Sequence, residues 1–481
     1  MPDFRMNPTP FQATLDHVST SADTNGNVLT DGKSTATWNQ VPTLTDGILR
    51  HLESQGIGLS SCLAVECSNS LPGALLLLAL FRRGISFVLV PPPVSADLKP
   101  VPRFCTHKVV AATGNPDSAP ETAIQIDSNP DFSGLATSSG KLYLRTSGSM
   151  GASKIVVHSH AGMIGNAQNC ILKYGFRPAS RATIPVPIAH MYGFGAEFLP
   201  AALAGASIDL QDKTNLLKYL DREKKFEPTI VFATPAICDM LAKGYKKPRT
   251  NYEVFVTSGQ RISEDLFRAF DPLVSGRLIN QYGSTEMGAT AAANPGDPLD
   301  ARATTIGKPM NGVQLKVTPK DDASNGSGEL HCLHPYGFEG YLDEEGAWIS
   351  HPEPETWYRT GDLAFVQPDG EIVVTGRADA SVNRSGYLVL LADIERILEK
   401  LEGIGEIAVV AATGESSRGQ RIAAFCVPGP GGVVDAAKIR ERCFDLLPHY
   451  AIPDEVRAIP QMPLLASGKI DRRALAALMN E

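Results

Sequence analysis

The chain contains 481 residues, of which 43% are hydrophobic and 20% are charged. That length allows at least two domains with sizeable cores. The formal net charge of -8 and the pI of about 5.8 argue against a general nucleic-acid-binding protein, and both values are ordinary for a cytosolic enzyme.

The cysteines and the apolar segments indicate the compartment. The eight cysteines include no Cys-x-x-Cys pair, so we expect buried thiols in a reducing environment and neither disulfides nor a zinc site. The N-terminus, MPDFRMNPTP, lacks a secretory signal pattern. The most apolar run, residues 71–81, is too short to span a bilayer and stops at Arg82 and Arg83. We therefore expect a cytoplasmic protein with no membrane span.

Apolar segments alternate in type over the first part of the chain. CLAVEC (62–67) predicts a buried strand, GALLLLALFRR (73–83) a helix and ISFVLV (85–90) another strand, and KVVAATG (108–114) continues the alternation. This β-α-β order predicts a largely parallel sheet covered by helices. The expected fold class is therefore α/β.

The C-terminal part of the chain has a different pattern. Two β-rich runs on either side of Gln-Pro-Asp-Gly predict a hairpin over residues 363–377. Residues 391–403 and 435–447 have helical periodicity and alternate with strand-like runs. We predict a large domain of parallel-rich sheets over residues 1–378 and a small, mobile α+β domain over residues 379–481.

One loop has the composition of an anion-binding site. In KLYLRTSGSMGASKIVVHSH (141–160), small and hydroxyl residues stand between two β-rich runs, and Lys154 adds a mobile cation. Small residues let backbone N–H groups turn toward an anion. Ser153 stands where a Walker A motif needs glycine, and a strand-like run follows, which excludes a P-loop NTPase. The alternative is a surface hairpin loop with ordinary turn residues.

Four further segments carry residues suited to nucleotide binding. QYGSTE (281–286) offers an aromatic ring, a glycine, a hydroxyl and a carboxylate, and YRTGDL (358–363) offers an acid that could accept two ribose hydroxyls. GRAD (376–379) supplies a fixed cation, and LLASGKIDRR (464–473) presents a lysine after a glycine. Taken singly, each segment has a structural alternative, namely a core tyrosine, a turn aspartate or a solvated lysine.

Together and in this order, the five segments resemble the adenylate-forming superfamily of acyl- and aryl-CoA synthetases, stand-alone adenylation domains and luciferases. The resemblance runs from about residue 60 to the end of the chain. It implies that a carboxylic acid reacts with ATP to form an acyl-adenylate and that the acyl group then passes to a thiol. ATP, Mg²⁺ and coenzyme A are the implied cofactors.

The resemblance implies roles for individual residues of the large domain. The residues that would hold the ATP β- and γ-phosphates are Thr146, Ser147, Gly148, Ser149, Gly151 and Lys154. The residues that would lie against the adenine are Ser258, Gly259 and Gln260 through their backbone and Tyr282 by stacking, and Gly283 would let the nucleotide cofactor approach closely. Thr285 would contact the α-phosphate, and Glu286 would bind Mg²⁺.

Further roles follow from the same resemblance. Asp362 would bind the ribose hydroxyls, and Arg377 would contact the ribose–phosphate region. Lys469 would bridge carboxylate and α-phosphate oxygens during adenylation. Asp379 would be the hinge about which the small domain turns between the half-reactions. His190, in PIAHMYGFG (187–195), would lie beside the acyl site.

The phosphate loop departs from the family pattern at two positions. Met150 stands where a hydroxyl residue is usual, and Ser153 stands where the family has proline. The first change removes a hydrogen-bond donor and the second loosens the loop, so we expect a lower affinity for ATP.

The acyl substrate is predicted from what the sequence lacks. Amino-acid-activating relatives carry an aspartate after the phosphate loop to meet the α-ammonium group. The segment HMYGFGAEFLPAALAGASIDL (190–210) has no acid in that context, although Glu197 and Asp209 are near. We therefore expect an acid without an α-amino group. The Gly193–Ala196 run suggests space for an aliphatic or polycyclic body.

The segment after the predicted hinge indicates which thiol accepts the acyl group. Asn383-Arg384-Ser385-Gly386 resembles the Asn-x-Ser-Gly form of acyl-CoA synthetases, in which Ser385 and Gly386 would contact the cofactor. Two alternatives stay open. One is a stand-alone enzyme that loads a phosphopantetheinyl carrier protein, and the other is a catalytically silent binding protein with the same fold.

Overall fold

The computed structural model describes residues 10–91, 101–112, 118–134, 139–146, 154–212, 215–319, 327–353, 355–377, 381–384, 387–416, 419–429, 432–465 and 470–480. The α-helices in these ranges are α1 (Pro10–Thr20), α2 (Val41–Ser54), α3 (Leu71–Arg83), α4 (His160–Tyr174), α5 (Leu199–Leu203), α6 (Leu216–Phe226), α7 (Pro235–Gly244), α8 (Glu264–Phe270), α9 (Leu299–Thr304), α10 (Leu391–Leu398), α11 (Ala436–Leu446) and α12 (Arg472–Ala477). A π-helical segment, Tyr192–Phe198, precedes α5.

The strands of the described ranges are β1 (Val28–Thr30), β2 (Thr35–Thr37), β3 (Cys62–Cys67), β4 (Ser86–Val90), β5 (His107–Ala111), β6 (Ile124–Ser128), β7 (Lys141–Thr146), β8 (Lys154–Ser159), β9 (Arg181–Ile184), β10 (Ser207–Leu210), β11 (Ile230–Ala233), β12 (Val254–Thr257), β13 (Leu278–Ser284), β14 (Gly288–Ala292), β15 (Lys308–Pro309), β16 (Gln314–Pro319), β17 (Gly328–Leu333), β18 (Gly340–Leu342), β19 (Trp348–Ser350), β20 (Tyr358–Val366), β21 (Ile372–Arg377), β22 (Ser381–Arg384), β23 (Tyr387–Leu390), β24 (Ile404–Ser416), β25 (Gly419–Pro428) and β26 (Glu455–Ala458).

The chain forms two compact units. The first unit contains Met1–Leu315 and Cys332–Trp357, and the second contains Lys316–His331 and Tyr358–Glu481. The hairpin before the predicted boundary is therefore grouped with the C-terminal region. The predicted hinge, Asp379, lies outside the described residues, so rotation at that position stays a prediction.

The first unit contains two large sheets. One has the order β19-β18-β8-β7-β4-β3-β5-β6, with parallel pairing from β7 to β5 and antiparallel pairing at its sides. The other has the order β15-β14-β13-β12-β11-β9-β10-β1-β2, and it is parallel from β13 to β1. The predicted α/β class is confirmed, and the sheets are mixed because antiparallel strands extend both edges.

The predicted leucine-rich helix is α3, and it is buried along nearly its whole length. Its residues from Leu71 to Phe81 are buried, which explains why an apolar run with no polar face is stable here. The helix begins two residues before the predicted start because the Ser70 hydroxyl accepts a hydrogen bond from the Gly73 N–H at 3.2 Å. It ends at Arg83, and Gly84 follows as a left-handed C-cap with a φ of 75°.

The second unit contains two smaller sheets. The predicted hairpin is confirmed as the antiparallel pair β20–β21 in the order β16-β17-β20-β21, and the other sheet has the order β23-β22-β25-β24 with β26 on β25. Alternate residues of the β24–β25 pair face two different cores. Val409 packs with residues of α10 and α11, whereas Val410 packs with residues of α12. The predicted α+β character of this region is therefore present.

The second predicted helix of this region matches α11 closely, but α10 is shorter than predicted. The pattern indicated a helix to residue 403, whereas α10 ends at Leu398. Gly403, with a φ of 91°, turns the chain into β24 at Ile404. The strand that must pair with β25 begins there, so tertiary pairing overrides the helical pattern.

The cysteines have the predicted state. All eight are free and buried, and the sulfur atoms of Cys62 and Cys105 lie 3.9 Å apart. Burial raises the pKa of the Cys67 thiol to about 12, so the thiol is protonated at neutral pH. No helix in the described residues has the length and apolarity needed to cross a membrane.

Candidate active site

The predicted phosphate loop connects the two strands of a hairpin. Strands β7 and β8 are antiparallel, and Thr146 lies opposite Lys154. The expected strand after the loop is therefore confirmed. Ser147, Gly148, Ser149 and Gly151 fall outside the described residues, as do Met150 and Ser153, so their contacts with phosphate stay predictions.

Lys154 is exposed at the start of β8 and lies next to an aromatic ring. Its Nζ atom is 5.1 Å from the centroid of the Tyr341 ring, a cation–π distance. Strand β18 pairs antiparallel with β8 and places Tyr341 opposite Val156. No motif in the sequence points to Tyr341, which stands in the run GYLD (340–343).

The QYGSTE segment forms the end of β13 and the turn into β14. The strand pairing is irregular between Tyr282 and Gly283. A Cβ atom at Gly283 would lie 2.3 Å from the carbonyl oxygen of Gly288, so only glycine fits this close backbone approach. The Ser284 hydroxyl accepts a hydrogen bond from the Met287 N–H at 3.0 Å and closes the turn. Glycine and serine thus shape the turn that carries Thr285 and Glu286.

Glu286 is held by two hydrogen bonds from one segment. The Tyr341 hydroxyl donates to the Glu286 Oε1 atom at 2.9 Å. The Phe338 N–H donates to the Glu286 backbone carbonyl at 2.8 Å. The structure therefore brings two predicted site residues, Lys154 and Glu286, to the same phenol ring.

Thr285 is held by His158, a residue to which no motif assigns a role. The Nε2 atom of His158 lies 2.8 Å from the Thr285 carbonyl oxygen. Burial lowers the pKa of His158 to about 4, so the ring is neutral at pH 7 and Nε2 carries the proton that it donates. A histidine on the otherwise apolar strand KIVVHS was the available sequence signal.

The predicted adenine-binding segment and Tyr282 lie at the carboxyl ends of two adjacent strands. Strands β12 and β13 are parallel, and Thr257 lies opposite Asn280. Ser258 follows at the end of β12, and Tyr282 lies two residues beyond Asn280. Gly259 has a φ of 86°, with no atom within 4 Å of an added Cβ, so its backbone is open to a ligand. The carboxyl edge of a parallel sheet is the usual ligand side.

His190 follows β9 at the same edge of this sheet. Strand β9 lies between β10 and β11 in the sheet. The chain passes from β9 to β10 on one side and then crosses to β11 on the other side, and such a topological switch point opens a crevice. The His190 N–H donates to the Pro187 carbonyl oxygen at 3.2 Å, and the side chain is half-buried. The placement of His190 beside the acyl site stays a prediction.

At the two glycines of the Gly193–Ala196 run, neighbouring atoms occupy the space where a side chain would be. A Cβ atom on Gly193 would lie 2.3 Å from the Pro187 carbonyl oxygen, and one on Gly195 would lie 2.7 Å from the Met191 sulfur. All four residues of the run are buried. These glycines admit neighbouring atoms, and space for an acyl body beside the run stays a prediction.

In the second unit, Asp362 and Arg377 form a cross-strand pair on β20 and β21. The Arg377 Nη1 atom lies 3.4 Å from the Asp362 Oδ1 atom and donates to the Thr360 carbonyl oxygen at 2.8 Å. Gly361 has a φ of 72°, and a Cβ atom there would lie 2.9 Å from the guanidinium group. Glycine thus lets the arginine lie across the hairpin toward Asp362, and the two predicted ribose residues are neighbours.

The other predicted residues of this unit are Asp379, Ser385, Gly386 and Lys469, and they lie outside the described residues. Leu464 and Ile470 form an antiparallel bridge on either side of the segment that contains Lys469. The catalytic role of this lysine, the hinge and the cofactor contact of the Ser-Gly pair stay predictions.

The first unit offers a carboxylate suited to bind Mg²⁺ together with phosphate oxygens of a substrate. Among the described residues, no group of three or more histidine, cysteine, aspartate or glutamate side chains is placed to hold a metal. Mg²⁺ commonly uses one or two protein carboxylates and completes its shell with phosphate and water oxygens. Glu286, oriented by Tyr341, fits that arrangement.

Two family models match the chain. Residues 141–342 match the AMP-binding enzyme model, and residues 393–469 match the model of the AMP-binding enzyme C-terminal domain. The first match contains the phosphate-loop hairpin and the QYGSTE turn. The second ends at Lys469. The chain therefore belongs to the adenylate-forming superfamily of AMP-binding enzymes.

Curated relatives include enzymes of two kinds. The chain is 26% identical to salicylyl-CoA synthase / salicylate adenylyltransferase from a Streptomyces species, over 71% of this chain and 64% of that protein. It is also 26% identical to CymA, a probable non-canonical nonribosomal peptide synthetase from Salinispora arenicola, over 93% of this chain and 6% of that protein. The chain thus spans less than two thirds of the length of each relative.

A solved structure shows the same fold over nearly the whole chain. The o-succinylbenzoate CoA synthetase from Bacillus subtilis, solved with its acyl-adenylate intermediate, superposes with a TM-score of 0.81. The match covers 98% of both chains at 17% sequence identity. At that identity the likeness establishes the fold, and the reaction of this chain must be argued from its own residues.

Proposed function

We propose that the protein is an ATP-dependent acid–thiol ligase. It would activate a carboxylic acid as an acyl-adenylate with release of pyrophosphate and then transfer the acyl group to coenzyme A. The observation that carries this proposal is the juxtaposition of Lys154 and Glu286 on Tyr341 within the AMP-binding domain. A cation and a carboxylate suited to bind Mg²⁺ at one place are what a triphosphate substrate requires.

The first half-reaction needs charge neutralisation and alignment. The acid attacks a phosphorus atom that is surrounded by negative oxygens, so the protein must place positive charge around it. Lys154 would serve the phosphate side, and Lys469 would align the carboxylate with the α-phosphate. A magnesium ion held by Glu286 would supply further positive charge on the phosphate oxygens. Asp362 and Arg377 would bind the ribose.

The substrate would be an acid without an α-amino group. Glu197 is fully buried, and its Oε1 atom accepts a hydrogen bond from the Phe232 N–H at 3.1 Å. Burial raises the pKa of this carboxyl well above its usual range and so disfavours the charged form that would balance an ammonium group. Asp209 is buried and pairs with Arg222. Neither acid near the π-helical segment is therefore available to an amino acid substrate.

Coenzyme A is the proposed acceptor because of the Asn383-Arg384-Ser385-Gly386 segment. Arg384 itself is fully buried, and its guanidinium donates to the Ile452 carbonyl oxygen at 3.0 Å and to Asp454 at 2.9 Å. Its role is therefore structural, and the acceptor preference would depend on its neighbours. Transfer to a phosphopantetheinyl carrier protein is the second candidate, which the peptide synthetase relative favours.

Acid-dependent ATP–pyrophosphate exchange tests the proposal. The purified protein would be assayed with aliphatic, aryl and polycyclic acids. The Glu286→Gln variant, assayed in the same way, would be the negative control. Exchange with at least one acid class, and loss of that exchange in the variant, is the expected result. Nucleotide binding with no exchange across the panel would favour the silent binding protein instead.

The acceptor requires a second assay. Active acids would be incubated with ATP and either coenzyme A or a carrier protein that bears phosphopantetheine, and thioesters would be measured by mass spectrometry. We expect acyl-CoA to form. Thioester on the carrier protein alone would replace coenzyme A with the second candidate.

A further inference from the structure

We propose that Tyr341 is a positioning residue for adenylation, which orients Glu286 toward a divalent cation and keeps Lys154 beside it. This inference rests on the proposed function of the same site. The residue is not expected to touch the reacting atoms. Its effect would come through the two side chains that it contacts.

The hydroxyl group of Tyr341 fixes one oxygen of Glu286. It donates to Oε1 at 2.9 Å, and this bond selects one orientation of the carboxylate. The Oε2 atom takes no part in this bond, and we infer that it is the oxygen that a metal ion would bind. Hydrogen bonds to a ligating carboxylate are a common means of orienting it, and their loss typically weakens metal binding by about 10–100-fold.

The ring of Tyr341 acts on the other partner. Lys154 is exposed at the start of β8, and its long side chain ends in a compact positive charge. The ring lies 5.1 Å from Nζ and attracts the cation through its negative face. One side chain therefore restrains a cation with its ring and an anion with its hydroxyl.

The backbone around Tyr341 is tied to both elements that the residue connects. The Glu339 N–H donates to the Val157 carbonyl oxygen of β8 at 2.7 Å, and the Phe338 N–H donates to the Glu286 carbonyl oxygen at 2.8 Å. The Phe338 and Tyr341 rings pack edge to face with centroids 4.9 Å apart. The position of Tyr341 relative to Lys154 and Glu286 is thus set by the segment itself, as a positioning role requires.

Two substitutions separate the functions of the ring and the hydroxyl. Tyr341→Phe removes the bond to Glu286 and keeps the ring, whereas Tyr341→Leu removes both. Tyr336→Phe is the matched control, because it deletes a phenol hydroxyl five residues earlier in the same segment. Melting temperatures of all three variants would be compared with that of the wild type to detect any loss of folding.

The readouts are ATP binding by calorimetry over a series of Mg²⁺ concentrations and the kinetics of pyrophosphate exchange. For Tyr341→Phe we expect the Mg²⁺ concentration at half-maximal ATP binding to rise by about 10–100-fold, with ATP affinity recovered at saturating Mg²⁺. Tyr341→Leu should also raise the KM for ATP at saturating Mg²⁺. Tyr336→Phe should match the wild type.

A double variant distinguishes positioning from a general structural effect. In a Glu286→Gln background, Tyr341→Phe should have no further effect on the Mg²⁺ dependence, because the group that it orients is already changed. Wild-type Mg²⁺ dependence in Tyr341→Phe, or an equal additional loss in the double variant, would overturn the inference. Failure of the wild type to bind ATP with Mg²⁺ would instead overturn the proposed function.

Discussion

The imidazole Nε2 of His158 lies 2.8 Å from the carbonyl oxygen of Thr285, and this bond joins the strand after the phosphate loop to the turn that carries Glu286. His158 is four residues beyond Lys154 on β8. It is also fully buried, so water cannot replace the bond if it is lost. This hydrogen bond therefore links the strand that carries the predicted phosphate-binding lysine to the turn that carries the predicted metal-binding glutamate.

Replacement of His158 should test that connection. His158→Leu leaves the Thr285 carbonyl without this donor in a buried site, which should cost about 1–3 kcal/mol of unfolding free energy. His158→Gln can place an amide N–H near the position of Nε2 and should recover part of the loss. Denaturant unfolding and pyrophosphate exchange would be measured together. Equal stability and exchange in the leucine and glutamine variants would show that the bond is unimportant.

Lys469 should be needed for one half-reaction only. Lys469→Ala should lower adenylation by about 10²–10³, the typical loss for one transition-state donor. Thiolation of a pre-made acyl-adenylate should survive, because the lysine is proposed to act only before that step. Lys438→Ala removes an exposed lysine from α11 of the same unit and is the control for charge. An equal fall in both half-reactions would contradict the assigned role.

The phosphate loop should improve when its two departures from the family pattern are reversed. Met150→Thr adds a hydroxyl donor, and a hydrogen bond to a charged group contributes about 1.5–3 kcal/mol. Ser153→Pro restricts the free loop and contributes about 0.4–1 kcal/mol where the native φ is compatible. The double variant should have an ATP KM at least several-fold lower, with little change in the KM for the acid. A raised ATP KM would mean that this loop adopts another conformation.

Acid should destabilise the first unit through buried histidines. Burial lowers the pKa of His160 to about 3 and that of His334 to about 4, from 6.5. Both rings are neutral in the folded protein, while the unfolded chain binds protons below pH 6.5. Stability is therefore retained above pH 6.5 and falls as the pH approaches 4, with about one proton taken up on unfolding for each histidine.

His160 allows that prediction to be tested by one substitution. Its ring stacks on Phe81 with centroids 3.9 Å apart, and phenylalanine preserves a flat ring there. His160→Phe should reduce the slope of unfolding free energy against pH between pH 6.5 and 4 by about one proton. The slope would be obtained from denaturant unfolding at several pH values. An unchanged slope would show that His160 does not contribute to acid sensitivity.

Local patterns in the sequence were sufficient for the strands around the phosphate loop, the β20–β21 hairpin and helix α3. Each depends on periodicity, caps or turn residues that are close together in the chain. The order of the five motifs was likewise sufficient to identify the superfamily. Each strand, hairpin, helix and motif in this group is recognised from residues that lie near one another in sequence.

Tertiary structure alone decided which side chains surround the candidate site residues. His158 and Thr285 are 127 positions apart, and Tyr341 and Glu286 are 55 apart. No local pattern encodes such pairs, because they depend on how β18 aligns with β8 and how the β13–β14 turn packs against both. Gly193 also shows that tertiary packing decides what surrounds a residue. The sequence shows that a side chain is missing there, and only packing shows that the Pro187 backbone fills the place.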